Sequence, residues 1–137
     1  MDRKVLLSTL WIFVILNMIF LDVHAFFKPG FIAEIMTGVV NGTQMTPGLL
    51  LIGAILVEIP IAMVLLSRVL KYKTNRWANI IVSIITMFGI LSNISSDPDK
   101  IFFGTIMIIT LLCIVQYAWK WPKPKKEEKD YGSVYNF

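Results

Sequence analysis

The chain has 137 residues, 56% of them hydrophobic and 16% charged, whereas an average soluble domain is about a quarter charged. That is too little polar sequence to cover the surface that a small soluble fold leaves in water, so lipid is the expected solvent, and four spans of about 20 residues leave no room for a separate globular domain. The net charge of +4 comes from Lys and Arg clustered beside apolar runs, a pattern that sets membrane orientation and does not point to nucleic acid; a single cysteine, Cys113, excludes an intrachain disulfide or dithiol pair, and a single histidine, His24, excludes a multi-histidine metal site.

The first apolar run, residues 5–27, contains Ser8, Thr9, Asn17, Asp22 and His24 and is stopped by Pro29-Gly30. At about 1.5 Å rise per residue it can cross a hydrocarbon core of about 30 Å. Arg3 and Lys4 ahead of it, with Val23-His24-Ala25 near its end, suit a cleavable signal peptide. The run is longer than the usual signal core, however, and Asp22 and His24 sit badly at a cleavage site, so it is expected to stay as the first span. Phe31, Ile32, Ile35, Met36, Val39 and Val40 then recur at helical spacing around Glu34. About ten residues are too few to cross, which predicts a short interfacial or re-entrant helix ending at Asn41-Gly42.

Thr46-Pro47 opens the second span, 48–70: an N-cap oxygen is followed by proline at the first helical position, where the missing N–H costs nothing. Arg68, Lys71, Lys73 and Arg76 close it, with Thr74 or Asn75 expected to cap the third span, 77–94. Asp97-Pro98 repeats the cap-and-proline signature before the fourth, 101–121. Residues 122–137 mix Pro, Lys and Glu without an apolar period and are expected to be a disordered cytoplasmic tail. The predicted fold is all-α, an integral membrane four-helix bundle over residues 1–121 with the short helix between spans one and two.

Orientation follows from the basic residues. Eleven, from Arg3 and Lys4, through Arg68, Lys71, Lys73 and Arg76, to Lys120, Lys123, Lys125, Lys126 and Lys129, fall on one side of the spans, and only Lys28 and Lys100 on the other. The positive-inside rule then puts both termini in the cytoplasm. Trp77, Trp119, Trp121, Tyr72 and Tyr117 fall at the same boundary, as an interfacial aromatic belt requires.

Ionisable groups inside a span are expensive and usually face the bundle interior. Glu58 stands near the middle of the second span, followed by Pro60, which frees the Leu56 carbonyl and favours a kink beside the acid. At about 1.5 Å per residue Glu58 is ~15 Å deep, Asn17 ~18 Å and Thr86 ~14 Å, so Asn17 and Thr86 are the expected partners of Glu58 in an internal ligand or proton site. Asp22 and His24 lie near the outer surface and form an outer polar layer that the short helix could cover. Asn79, Ser83, Thr86, Gly89 and Asn93 follow at spacings of four, three, three and four on one helix face, where small and weakly polar side chains favour close helix packing.

The stretches Leu6-Leu7-Ser8-Thr9-Leu10-Trp11, Glu58-Ile59-Pro60-Ile61-Ala62-Met63 and Asn75-Arg76-Trp77-Ala78-Asn79 look like an uncharacterised four-span bacterial membrane protein family, over roughly residues 4–121. More remotely, one span, an outer loop with a short helix, a second span bearing Gly53, Glu58 and Arg68, and two further spans resemble the DoxX-like bacterial membrane proteins, with Pro60 and Ala62 where that pattern has glycines. The resemblance implies the bacterial cytoplasmic membrane and an association with quinone-linked systems, and it carries over Glu58 and Arg68 as site residues. The leading expectation is a protein without enzymatic activity that binds a small amphipathic ligand, quinone or lipid, in an intramembrane cavity, or that serves as a membrane subunit. The alternative is an oligomeric proton-coupled small-molecule transporter with Glu58 as proton carrier. No catalytic residues, metal site or resident cofactor is expected beyond a bound quinone, and the partners considered are the lipid bilayer, further copies in a homo-oligomer, and a membrane partner subunit.

Overall fold

The computed structural model describes residues 1–124; most of the expected tail lies outside the described residues. Among those residues four helices are long and apolar enough to cross a membrane: α1 (Arg3–Ala25), α3 (Pro47–Val69), α4 (Tyr72–Ser92) and α5 (Pro98–Trp119). The chain is a multi-pass membrane protein. Between α1 and α3 lie a short helix, α2 (Phe31–Thr37), and a two-stranded hairpin of β1 (Val39–Val40) and β2 (Thr43–Gln44).

The hairpin replaces the last turn of the expected interfacial helix. Gly38 takes φ 76° and ends α2, and Asn41 and Gly42 take φ 50° and 76°, the pair of positive values that a two-residue type I′ turn needs. Val39 pairs with Gln44 and Val40 with Thr43. The Glu34 carboxylate accepts from the Asn41 N–H at 3.1 Å and so locks the turn to α2. No residue of α2 is buried.

Thr46 caps α3 as its sequence predicts, its hydroxyl accepting from the Leu49 N–H at 3.2 Å, and α3 continues through Pro60. Asp97 stands at the N-cap of α5 but makes no cap bond. Its carboxylate accepts instead from Lys28 Nζ and Ser95 Oγ, both at 2.9 Å. The third span starts earlier than expected, at Tyr72. Asn75 is not an N-cap: its amide donates to the Ser67 and Leu70 carbonyls at 2.7 and 3.2 Å, which satisfies groups that the end of α3 leaves without helical partners.

The core lies in the half of the bundle nearest the basic ends of the helices. Leu7, Trp11, Val14, Met63, Met107, Leu111 and Ile114 form one buried cluster. A polar knot sits beside it: Asn79 Oδ1 accepts from Trp11 Nε1 at 2.7 Å and from Ser67 Oγ at 3.2 Å, while Asn79 Nδ2 donates to Asn75 Oδ1 at 2.7 Å. The carbonyls at and just beyond the end of α5 accept from side chains. Arg76 donates to Ala118 and Trp119 at 3.2 and 3.1 Å, and Tyr72 donates to Trp121 at 2.8 Å. Cations at a helix C-terminus also complement its dipole, and the Arg76 guanidinium stacks 5.3 Å from the Trp119 ring centre.

Candidate functional site

Away from the core the bundle opens. Between Pro47 and Glu58 every residue of α3 is exposed, whereas Pro60, Met63 and Ser67 are buried. The open half holds a cleft of about 500 Å³ walled by α1, α3, α4 and α5. Glycines give it room: Gly53 and Gly89 line it with nothing within 4 Å of where a Cβ would stand, and Gly104, on α5, has only the Ile90 side chain at 3.8 Å.

The cleft is graded in polarity. Its walls are apolar, with Met18, Leu21, Leu56, Val57, Ile85 and Ile90, and its polar lining includes Asp22, Lys28, Asn93, Asp99 and Lys100. Lys28 is paired with Asp97 at 2.9 Å and Asp99 at 3.5 Å, and Lys100 approaches Asp97 at 3.7 Å. The hydrogen bond to Asp97 raises the Lys28 pKa above the usual lysine value. The bonds from Lys28 and Ser95 in turn lower that of Asp97. The two cations at this end are therefore engaged by carboxylates, while Asp22 has no ion pair among the described residues. Such a mouth suits a neutral or zwitterionic polar head that offers a donor to Asp22, and disfavours a bare anion.

Pro60 adds an acceptor. Lacking an N–H, it leaves the Leu56 carbonyl without its helical partner, and both residues lie in the cleft wall. The stripe on α4 divides by depth: Asn79 and Ser83 are buried where helices pack, and Thr86, Gly89 and Asn93 line the cleft. Packing therefore explains only its first half.

The structure does not bring Glu58, Asn17 and Thr86 together. Glu58 is exposed and stands outside the cleft lining, because at about 100° per residue it is roughly 200° around α3 from Pro60. Depth alone had suggested the trio, and depth says nothing of azimuth. Asn17 donates to the Phe13 carbonyl at 2.9 Å and Thr86 to the Val82 carbonyl at 2.7 Å, each on its own helix. Arg68 lies at the other end of α3, its Nε 3.4 Å from Ser8 Oγ. Asp22 and His24 also part company: Asp22 reaches the cleft, while His24 packs against Phe103 with ring centres 5.4 Å apart. Sequence reasoning overlooked Gly104, Lys28 and Asp99 as cleft residues, and the spacing of Gly53, Gly89 and Gly104 on three different helices carries no local signal that they meet.

No curated protein and no solved structure matches the chain. A family model described as a family of unknown function (DUF6326) matches residues 1–128, nearly the whole chain and all four spans, and the protein belongs to that family.

Proposed function

We propose that the protein binds a small amphipathic molecule, a membrane lipid or a quinone, in the cleft walled by α1, α3, α4 and α5. The observation that carries this reading is the polarity gradient of the cleft. Apolar walls suit a tail entering from the bilayer, and Asp22, Asn93 and the paired Lys28 and Asp99 suit a polar head. Ligand sites of several hundred Å³ with apolar linings and a few placed polar groups are the usual form of such pockets. A quinone-like occupant also agrees with the DoxX resemblance; of the second-span residues that carry it, Gly53 lines the cleft while Glu58 and Arg68 stand outside it.

Binding is preferred to passage, because the cleft ends on Pro60 and Met107 and beyond them Leu7, Trp11, Met63 and Leu111 fill the bundle. The proposed orientation has both termini in the cytoplasm, supported by the eleven-to-two distribution of basic residues, and a bacterial cytoplasmic membrane is what the family resemblance implies.

The test is mass spectrometry of small molecules extracted from the purified protein. Wild type is expected to carry a quinone or phospholipid in near-stoichiometric amount. Gly89→Leu, whose side chain enters open space in the cleft, is expected to lose most of it while its unfolding temperature holds. Glu58→Gln, outside the cleft, should keep it. Equal occupancy in wild type and Gly89→Leu, or none in either, rejects the proposal.

A further inference from the structure

On the side of α3 turned away from the cleft, Leu51, Ala54, Glu58, Ile61 and Leu65 follow one another at spacings of three, four, three and four, and all five are exposed. Leu51 and Leu65 are 61% and 66% exposed, so among the described residues the stripe is left largely uncovered. Spacing of this kind is the seam of a left-handed helix pair, in which one polar residue at a seam position fixes partner and register. Most membrane helix pairs cross with that hand. Glu58 occupies the middle of the seam, and Ala54, one turn away, lets a second backbone come close. A shallow apolar groove formed by Ile12 and Leu16 of α1 with Ile61 and Leu65 adjoins the seam. Arg68 and Ser8 close the groove at its basic end, with Arg68 Nε 3.4 Å from Ser8 Oγ.

The geometry points to a second copy of this chain as the occupant, docked in parallel through the two α3 seams with the Glu58 carboxyls hydrogen-bonded across the twofold axis. Hydrocarbon offers Glu58 nothing, and an ionisable side chain facing lipid is costly. A carboxyl in its neutral form carries one donor and one acceptor, so two related by a twofold axis satisfy each other. Parallel copies put the same residue at the same depth, and an isologous interface makes each residue meet its own counterpart. The basic residues of the described chain stand at the ends of the spans or in the loops, so a second copy brings no cation to the depth of Glu58. Its own Glu58 is the complementary group. The seam lies opposite Gly53, Leu56 and Pro60, so assembly through it leaves the cleft open to its ligand.

Cys113 is the only cysteine, so a Cys113→Ser background permits clean disulfide mapping in native membranes. Cysteines at Leu51, Ala54, Ile61 and Leu65 are expected to give oxidative dimers of this chain, and cysteines at Leu56 and Val57, on the cleft side, are not. Energy transfer between labelled copies in bilayers should show Glu58→Leu dissociating roughly 5- to 30-fold more readily, the range for one intramembrane hydrogen-bonded contact, with Glu58→Gln holding most of the affinity because an amide also pairs with itself. Cross-links that ignore the three-four period, adducts only with another protein, monomers at every position, or unchanged association of Glu58→Leu would each overturn the proposal. Ligand content in the same preparations reports on the cleft separately.

Discussion

Asn79 accepts from Trp11 and Ser67 through one oxygen and donates to Asn75 through its nitrogen, so a single buried amide joins α1, α3 and α4. Removing it leaves the Trp11 N–H and the Ser67 hydroxyl without their partner in a site that water does not reach, and a buried group left unpaired costs about 1–3 kcal/mol. Averages for membrane proteins are lower, about 0.6 kcal/mol per hydrogen bond. Four bonds on one side chain argue for the upper range. Asn79→Leu is therefore expected to lower unfolding free energy in mild detergent by about 2 kcal/mol, and a cycle with Trp11→Phe should show coupling of about 1 kcal/mol. Ser83, one turn along the same face, supplies the contrast. Its buried hydroxyl has no partner among the described residues, so Ser83→Ala should leave stability unchanged or raise it, and a loss as large as that of Asn79→Leu would show that the hydroxyl is satisfied.

At the scale of elements, the Lys28 tie holds the end of α1 to the start of α5. Asp97 is held below its usual pKa by the bonds from Lys28 and Ser95, so its contribution to stability is complete above the ordinary aspartate value, about 3.9, and is lost as pH falls through its lowered native value. Lys28 is raised, so its contribution is complete below the ordinary lysine value, about 10.4, and is lost as pH rises through the raised native value. Between those limits the tie is constant. Unfolding midpoints measured against pH should therefore separate wild type from Asp97→Asn by a constant gap near neutrality that narrows on acidification below about pH 4. A gap that persists unchanged in acid would mean the carboxylate charge is not what Lys28 uses. The elements themselves were legible in the sequence, because a lipid solvent demands long apolar runs and because Thr46-Pro47 and Asp97-Pro98 mark where two of them begin. Boundaries set by distant partners were not. Asn75 looks like an N-cap for its own helix, but its amide closes the end of α3, and no local rule distinguishes these roles. Asn41-Gly42 was legible as a turn, while strands of two residues on either side were too short to announce a hairpin.

At the scale of the whole molecule, the protein is tight at its basic end, where Arg76 caps α5, Tyr72 holds the Trp121 carbonyl just beyond it and Asn75 caps α3, and open toward the hairpin, where the cleft lies. The candidate site was only partly readable for one physical reason. Because α3 is apolar nearly all round, periodicity could not say which side faces the bundle, and Glu58, the residue that drew attention at mid-depth, points out of it, while Thr86 and Asp22 do border the cleft. The division between the two ends also bears on orientation. Because α3 is long and apolar enough to cross the membrane, the turn between α3 and α4 and the hairpin between α1 and α3 lie on opposite faces, and the proposed orientation assigns the basic end to the cytoplasm. In a Cys113→Ser background, Thr43→Cys in the exposed hairpin is expected to react with an impermeant maleimide on intact cells, and Lys73→Cys only after permeabilisation. Reversed labelling would invert the orientation, and labelling of both positions from one side would contradict the passage of α3 through the bilayer on which the cleft and the seam both depend.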